Sequence, residues 1–281
     1  MTAPTRKLML FGLMAIMLSL VGFMQSWSLA LAILNLCLIS AIMALGVNIQ
    51  WGYAGLFNVG VMGFAALGGL AGVLVSMRPV PAAWAAGGTG VLLAGLVVLA
   101  VIVVGVAMFR LLPRGIAGFV IGLIVVAGYI AARVFYDPAV NAIESVDSAN
   151  TGYLGGLGLP IILSWFVGGA FAAGAAWIVG KIALGLRSDY LAIATLGISE
   201  IIVAMLKNED WLTRGVKNVT GLPRPVPYEV DLQRTAWFQD LASSLSVSSI
   251  ELSSIIVKLC YAGLFLVILL GVLWLSETAL R

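Results

Sequence analysis

Histidine is absent from this 281-residue chain, and cysteine occurs only twice. Because histidine is the commonest metal ligand and the commonest general base in proteins, its absence argues against most metal-dependent and acid–base enzymes. Cys37 and Cys260 each stand alone within an apolar segment, so they offer neither a disulfide framework nor a CxxC metal site. Packing is their predicted role. The sequence therefore predicts no metal site and no cofactor.

Charged residues are also scarce, at 10% of the chain, whereas apolar residues make up 62%. Soluble domains average about 25% charged and about 45–50% apolar residues. No Asp, Glu, Lys or Arg occurs between Lys7 and Arg78, and this stretch is long enough for three membrane spans of about 20 residues. The basic residues are scattered over loops and form no basic, aromatic-rich face, which argues against nucleic-acid binding. These features predict an all-α, polytopic transmembrane helical bundle in a lipid bilayer.

Apolar runs bounded by charges or by Pro and Gly clusters predict about eight spans within a single transmembrane domain, residues 1–281. The predicted spans are residues 8–25, 29–49, 59–77, 89–109, 115–132, 160–180, 190–206 and 256–275. The first span follows the basic residues Arg6 and Lys7, an arrangement that also occurs in signal peptides. Its hydrophobicity continues past the possible cleavage site, which favours an uncleaved span.

Basic residues are distributed unevenly between the two sets of loops. A cytoplasmic amino terminus places most of them in short inside loops: Arg6, Lys7, Arg110, Arg114, Lys181, Arg187 and Arg281. Only Arg78 and Arg133 then fall in short outside loops. Because basic residues favour the cytoplasmic side of a membrane, the amino terminus is predicted to lie inside.

Two longer polar segments lie outside in this topology, residues 136–159 and residues 207–255. The first has a glycine-rich end. In the second, apolar residues recur near helical spacing at Leu232, Trp237, Leu241 and Leu245. This pattern predicts a short helix that lies either in the membrane interface or against a partner protein.

The segment from Asn48 to Gly63, NIQWGYAGLFNVGVMG, combines four glycines with the polar residues Asn48, Tyr53 and Asn58. Irregular backbone at membrane depth is tolerated only where protein surrounds it or where it lines a cavity. The segment is therefore either a broken or re-entrant helix beside a pathway or a tight cytoplasmic turn.

A second segment, SDYLAIATLGISEIIVAML at residues 188–206, places Thr195, Ser199 and Glu200 within a span. An ionisable residue at the centre of a span costs at least ~2.5 kcal/mol and indicates a functional site. A buried structural carboxylate is the alternative for Glu200. We predict that Asn48, Tyr53, Asn58, Thr195, Ser199 and Glu200 line a translocation pathway.

The sequence contains no GxxxxGK[ST] phosphate-binding loop. Its nearest approach, from Gly174 to Ile182, has one residue too many, and Lys181 is followed by Ile. Serine nucleophile elbows and zincin motifs are absent as well. The sequence therefore favours movement of a solute across the membrane over catalysis.

Three motifs resemble the permeases of branched-chain amino acid ABC importers. They are GYAG at residues 52–55, DYLAIATLG at 189–197 with Glu200 and Ile201 shortly after, and LTRGVKNVTGLPRP at 212–225. The resemblance runs from about residue 30 to the end of the chain and is greatest to the longer of the two permease subunits. Two departures are visible. Val61 follows Gly60 where the family often has histidine, and the chain stops where family members continue into a basic cytoplasmic loop and further spans.

The resemblance implies a type II importer fold in the inner membrane of a bacterium. The implied partners are a second homologous permease, two cytoplasmic ATPase subunits and an external substrate-binding protein, with ATP hydrolysis confined to the ATPases. The implied cargo is leucine, isoleucine, valine or a related small amino acid or amide. Alternatives are an ABC permease for urea, short amides or sugars, and an autonomous secondary transporter or channel. A functional permease would contact its ATPase through residues beyond Arg281 or mainly through the partner permease.

Overall fold

A computed structural model describes residues 3–147, 152–215, 217 and 219–279, which contain α-helices and no β-strand. The helices are α1 (Ala3–Met24), α2 (Trp27–Asn48), α3 (Val61–Ser76), α4 (Pro81–Ala83), α5 (Thr89–Leu111), α6 (Arg114–Ser145), α7 (Ile161–Ala183), α8 (Ser188–Asn208), α9 (Asp210–Thr213), α10 (Glu229–Gln233), α11 (Ala236–Ser244) and α12 (Ser249–Ala279). Two π-helical turns, Ile49–Tyr53 and Trp84–Gly88, extend α2 and join α4 to α5. The predicted all-α, polytopic fold is confirmed.

Seven helical segments of the described chain are long and apolar enough to cross a membrane. They are Thr5–Met24, Trp27–Tyr53, Pro81–Leu111, Ile116–Ser145, Ile161–Ala183, Ser188–Asn208 and Ser249–Thr278. The remaining predicted span contains only α3, with 16 residues. At 1.5 Å per residue, α3 is about 24 Å long, less than the ~30 Å hydrocarbon core of a bilayer.

The predicted end of the span at residue 132 is wrong, because α6 is longer than predicted. Residues 136–145 were predicted to begin an outside loop, but α6 continues through Pro138 to Ser145 and includes Arg133. An ion pair between Arg133 and Asp137, at 2.8 Å and one helical turn apart, supports the helix there. The extension also packs closely, because a Cβ on Gly87 would lie 2.3 Å from the carbonyl oxygen of Ala139. Tertiary packing therefore carries the helix beyond the apolar run.

The described chain divides into two compact units. Unit 1 comprises the described residues within 1–58, 187–192 and 224–281, and unit 2 comprises the described residues within 59–186 and 193–223. In unit 1, α12 packs against α2. The Lys258 ammonium donates a hydrogen bond to the Ser28 carbonyl oxygen at 3.0 Å, and Asn35 Nδ2 donates to the Lys258 carbonyl oxygen at 3.0 Å. The first of these bonds gives the ammonium group of Lys258, which lies within the last span, a hydrogen-bond partner.

The segment for which the apolar spacing predicted one short helix contains two, α10 with Leu232 and α11 with Trp237 and Leu241. On α11, Phe238 and Ala242 are buried and pack with Leu252 of α12. Trp237 on α11 and Leu245 just after it are exposed. The contact of that exposed side with a membrane interface or a partner stays a prediction.

In unit 2, α3 packs against α7 and α5 packs against α6. A Cβ on Gly168 of α7 would lie 3.1 Å from the Cα of Gly68 on α3. Small residues at this crossing therefore allow the two backbones to approach closely.

Candidate functional site

The first glycine-rich segment contains a break in helical structure. The π-turn Ile49–Tyr53 is followed by irregular backbone over residues 54–60, and α3 begins at Val61. Gly55 has φ +66°, in the left-handed region that glycine adopts at little cost. The Leu56 N–H donates to the Gln50 carbonyl oxygen at 2.9 Å, which folds the chain back on the π-turn. The predicted interruption of the helix is thus present.

Two side chains of α8 accept hydrogen bonds from the backbone at the start of α3. Ser199 Oγ accepts from the Gly63 N–H at 2.7 Å, and Thr195 Oγ1 accepts from the Val59 N–H at 3.1 Å. Both side chains are buried, at 4% and 3% exposure. The buried Gly63 N–H also reaches the Gly60 carbonyl oxygen at 3.3 Å, so Ser199 provides its shorter bond. Thr195 provides an acceptor for the Val59 N–H just before α3, where the backbone has no helical partner.

Gly63 sets the distance between α3 and α8. A Cβ at this position would lie 2.9 Å from the Ser199 Cα and 3.0 Å from its Oγ. Any larger residue must push the α8 backbone away and lengthen the bond to Ser199. We call Val59, Gly63, Thr195 and Ser199 the α3–α8 clamp.

The carboxyl end of α3 is satisfied by the glycine-rich segment at residues 152–159. The N–H groups of Leu157 and Leu159 donate to the carbonyl oxygens of Leu74 and Val75, at 3.0 and 2.9 Å. The Gly158 N–H donates to the Met77 carbonyl oxygen at 2.8 Å. The last carbonyls of a helix also lack intrahelical partners, so both ends of α3 are completed by other parts of unit 2.

Tyr153 anchors this segment. Its ring is 4% exposed and packs with Val73 and Met77 of unit 2. Burial raises the pKa of the Tyr153 hydroxyl, and the positive charge of Arg214, 5.8 Å from the ring centre, opposes the rise. The hydroxyl therefore stays neutral at physiological pH, as its packing requires.

The other predicted pathway residues lie at more open positions. In unit 1, Asn58 Nδ2 donates to Gln50 Oε1 at 2.8 Å, and Trp51 Nε1 donates to the Asn58 carbonyl oxygen at 2.9 Å. Asn48 and Tyr53 are both exposed. Asn58 thus helps to hold the break in place, whereas Asn48 and Tyr53 present accessible side chains.

Glu200 is exposed in unit 2, although its neighbour Ser199 is buried. Consecutive residues of an α-helix point about 100° apart, so Glu200 lies on a different face of α8 from the clamp. The alternative interpretation, that Glu200 is a structural carboxylate buried within this chain, is therefore wrong. Its place on a pathway stays a prediction.

Unit 2 also contains a cavity with apolar and polar lining that was not predicted from the sequence. A groove of about 770 Å³, which we call the α5–α6 groove, is lined by Val91, Ala94, Gly95, Val98, Tyr129, Ala132, Arg133, Tyr136, Val140, Glu144, Asn208, Glu209 and Trp211. The Tyr136 hydroxyl donates a short hydrogen bond to Glu209 Oε2, which also accepts from Trp211 Nε1 at 2.5 Å. The aromatic residues next to charges were a usable signal, because Tyr and Trp concentrate at membrane boundaries.

Within the described ranges, no group of three or more Cys, Asp or Glu side chains is arranged to hold a metal ion. The α3–α8 clamp is built from hydroxyl and backbone groups. Because each hydroxyl accepts a hydrogen bond from a backbone N–H, the clamp can hold the start of the short helix α3 against α8.

Two known proteins have sequences similar to part of this chain. The chain is 34% identical over 116 residues to the high-affinity branched-chain amino acid transport system permease protein LivM of Escherichia coli K12. It is 32% identical over 115 residues to the LivM protein of Salmonella typhimurium LT2. Each match covers 41% of this chain and 27% of the relative.

No protein-family model matches the chain, and no solved structure matches it. The two relatives nevertheless bear the description that the motifs at residues 52–55, 189–197 and 212–225 had suggested. Over about two fifths of its length, this polytopic chain is similar to permease proteins from branched-chain amino acid transport systems.

Proposed function

We propose that this chain is a membrane-spanning permease subunit of an ATP-driven importer in the inner membrane of a bacterium. Its cargo is a branched-chain or related small amino acid. The observation that carries this proposal is the identity to the two LivM proteins, whose names specify branched-chain amino acid transport. The helices of span length are consistent with a permease.

The energy for import comes from other subunits in this proposal. The sequence has no phosphate-binding loop, so hydrolysis of ATP is assigned to two cytoplasmic ATPase subunits. A second homologous permease completes the membrane part, and an external binding protein delivers the cargo. The chain itself is a transport subunit rather than an enzyme.

The pathway is proposed to involve Asn48, Tyr53, Asn58 and Glu200, with the α3–α8 clamp as its support. Three features favour a broken helix over a simple turn. Helix α3 is too short to cross a bilayer by itself, residues 54–60 are irregular, and both ends of α3 are satisfied by protein groups. Since Ser199 and Thr195 bond to residues 59–63, a shift of α8 would move the start of α3 with it.

Cargo choice is tested in cells that lack this chain and in the same cells with the chain restored. We expect restored cells to regain uptake of labelled leucine, and excess isoleucine or valine to inhibit that uptake. Excess urea or ribose should leave leucine uptake unchanged. Inhibition by urea or ribose, with none by valine, would replace the amino acid proposal with one of the other importer classes.

The topology proposed here places Arg110 and Lys181 in the cytoplasm and Lys217 outside. Because Cys37 and Cys260 are exposed, both are first replaced by Ala. Single cysteines at the three positions should then react with a membrane-impermeant thiol reagent from opposite sides of sealed vesicles. Reaction of all three from one side would contradict the topology.

Glu200→Gln is expected to lower leucine uptake by about tenfold to hundredfold, because a charge-assisted contact of the exposed carboxylate is worth about 1.5–3 kcal/mol. Expression should be unaffected, since the side chain is exposed and the substitution preserves its size. Glu277→Gln, at an exposed position of α12, is the matched control. Normal uptake by Glu200→Gln would remove Glu200 from the pathway.

A further inference from the structure

The predicted topology puts Arg133 on the outer side of the membrane, and the residues of α6 from Ile116 to Ala132 carry no charge. Basic side chains near the end of a span favour the membrane boundary. We therefore place that boundary near Arg133, with Tyr136, Val140 and Glu144 of the groove beyond it.

The chemistry of the groove changes at the same level. On α5, the lining residues Val91, Ala94, Gly95 and Val98 occupy one face and are apolar or small. On and after α6, the lining becomes polar, with the ion-paired Arg133, the Tyr136 hydroxyl and the carboxylates of Glu144 and Glu209. A ligand for this groove needs an apolar part and a polar head, in that order.

The charged residues at the polar end of the groove determine which headgroup it can bind. Arg133 already pairs with Asp137, whereas Glu144 and Glu209 add two further carboxylates, so the polar end carries a net negative charge. This end disfavours an anionic headgroup and favours an ammonium group. Both hydrogen bonds to Glu209 from Tyr136 and Trp211 end on Oε2, so a ligand ammonium would be received by Oε1.

Arg133 is placed to bind the phosphate of the same ligand. Arg133 and Tyr129 are joined by a 3.0 Å hydrogen bond and both line the groove. Arg133 precedes Tyr136 by three residues, about 4.5 Å along the helix axis, so a phosphate and an ammonium separated by a short linker could be held together. We propose that the α5–α6 groove binds a phospholipid with a primary ammonium headgroup, of the phosphatidylethanolamine class.

The proposal concerns a lipid site and is independent of which solute the chain transports. A free amino acid would engage the polar end alone, since the apolar lining continues below the membrane boundary. The volume of about 770 Å³ is also in the ~300–1,000 Å³ range of pockets that enclose ligands larger than a single amino acid.

The test is native mass spectrometry of the purified full chain after exchange with equal amounts of dioleoylphosphatidylethanolamine, dioleoylphosphatidylcholine and dioleoylphosphatidylglycerol. We expect about tenfold preference for the ethanolamine lipid over the choline lipid, because only the former has N–H donors for Glu209. Glu209→Gln should remove that preference. Equal retention of the two lipids by the unaltered chain would overturn the proposal, as would displacement of lipid by leucine.

A steric variant keeps the test independent of charge. An added Cβ at Gly95 meets no atom within 4 Å, so Gly95→Phe should fold and fill the groove. Gly105→Phe, on the same helix and also without a neighbour within 4 Å, is the matched control outside the lining. We expect Gly95→Phe to lose the ethanolamine lipid and Gly105→Phe to keep it. Equal retention by the two variants would place the lipid elsewhere.

Discussion

Replacement of Gly63 by Leu is expected to prevent stable folding of this chain. The Cβ alone would lie 2.9 Å from the Cα of Ser199, and the rest of a leucine side chain would have to displace α8. Overpacking in a close contact costs about 1–3 kcal/mol for small additions, and a leucine adds more. The displacement would also break the 2.7 Å hydrogen bond that caps α3. The measurement is the yield and thermal transition of monodisperse protein in detergent.

Two related variants separate packing from hydrogen bonding. Ser199→Ala removes only the hydroxyl acceptor and leaves the Gly63 N–H with its 3.3 Å bond to the Gly60 carbonyl oxygen, so we expect a smaller loss of about 0.5–1.5 kcal/mol. Gly69→Leu, on the same helix but with no atom within 4 Å of an added Cβ, is the control for loss of glycine itself. Equal stability of Gly63→Leu and Gly69→Leu would mean that α3 and α8 do not approach as described.

The long apolar runs were the most predictable feature of the fold. Runs without charge, such as residues 8–25 and 89–109, gave helices near their predicted positions because hydrophobic length alone specifies a span. Helix α6 was harder to predict. Arg133, Asp137 and Pro138 indicate a loop by composition, but the packing of Ala139 against Gly87 depends on residues distant in sequence.

The candidate site was only half predictable for a similar reason. Polar residues in a span drew attention to Thr195, Ser199 and Glu200, yet their different surroundings depend on where α3 begins. Gly63 contacts Ser199 although 136 positions separate them. Sequence spacing on one helix cannot show which face of α8 receives another backbone, so burial of Ser199 and exposure of Glu200 emerged only from the fold.

The cytoplasmic connections bear on how such a chain could be driven. In the proposed topology the α5–α6 link is only Leu112 and Pro113, and the α7–α8 link is residues 184–187. Links of this length are poor candidates for a long element that an ATPase could push. We therefore expect most of the ATPase contact to be made by other segments or by the partner permease.

The isolated chain is expected to show no concentrative transport. Uphill import requires a source of free energy, and the sequence contains no phosphate-binding loop. An ion gradient would require coupling groups within the membrane, and the proposed pathway offers Glu200 as its one ionisable side chain inside a span. Omission of the ATPases should therefore abolish accumulation of leucine rather than slow it.

The most direct test of the proposed function is leucine accumulation in liposomes that contain the 281-residue chain, measured with and without the partner permease, ATPases and binding protein. Liposomes with all components and ATP should accumulate leucine above its external concentration, and liposomes with a hydrolysis-defective ATPase should not. The chain alone should give no accumulation, with or without an ion gradient. Concentrative uptake by the chain alone would contradict the heteromeric importer and establish a secondary transporter in its place.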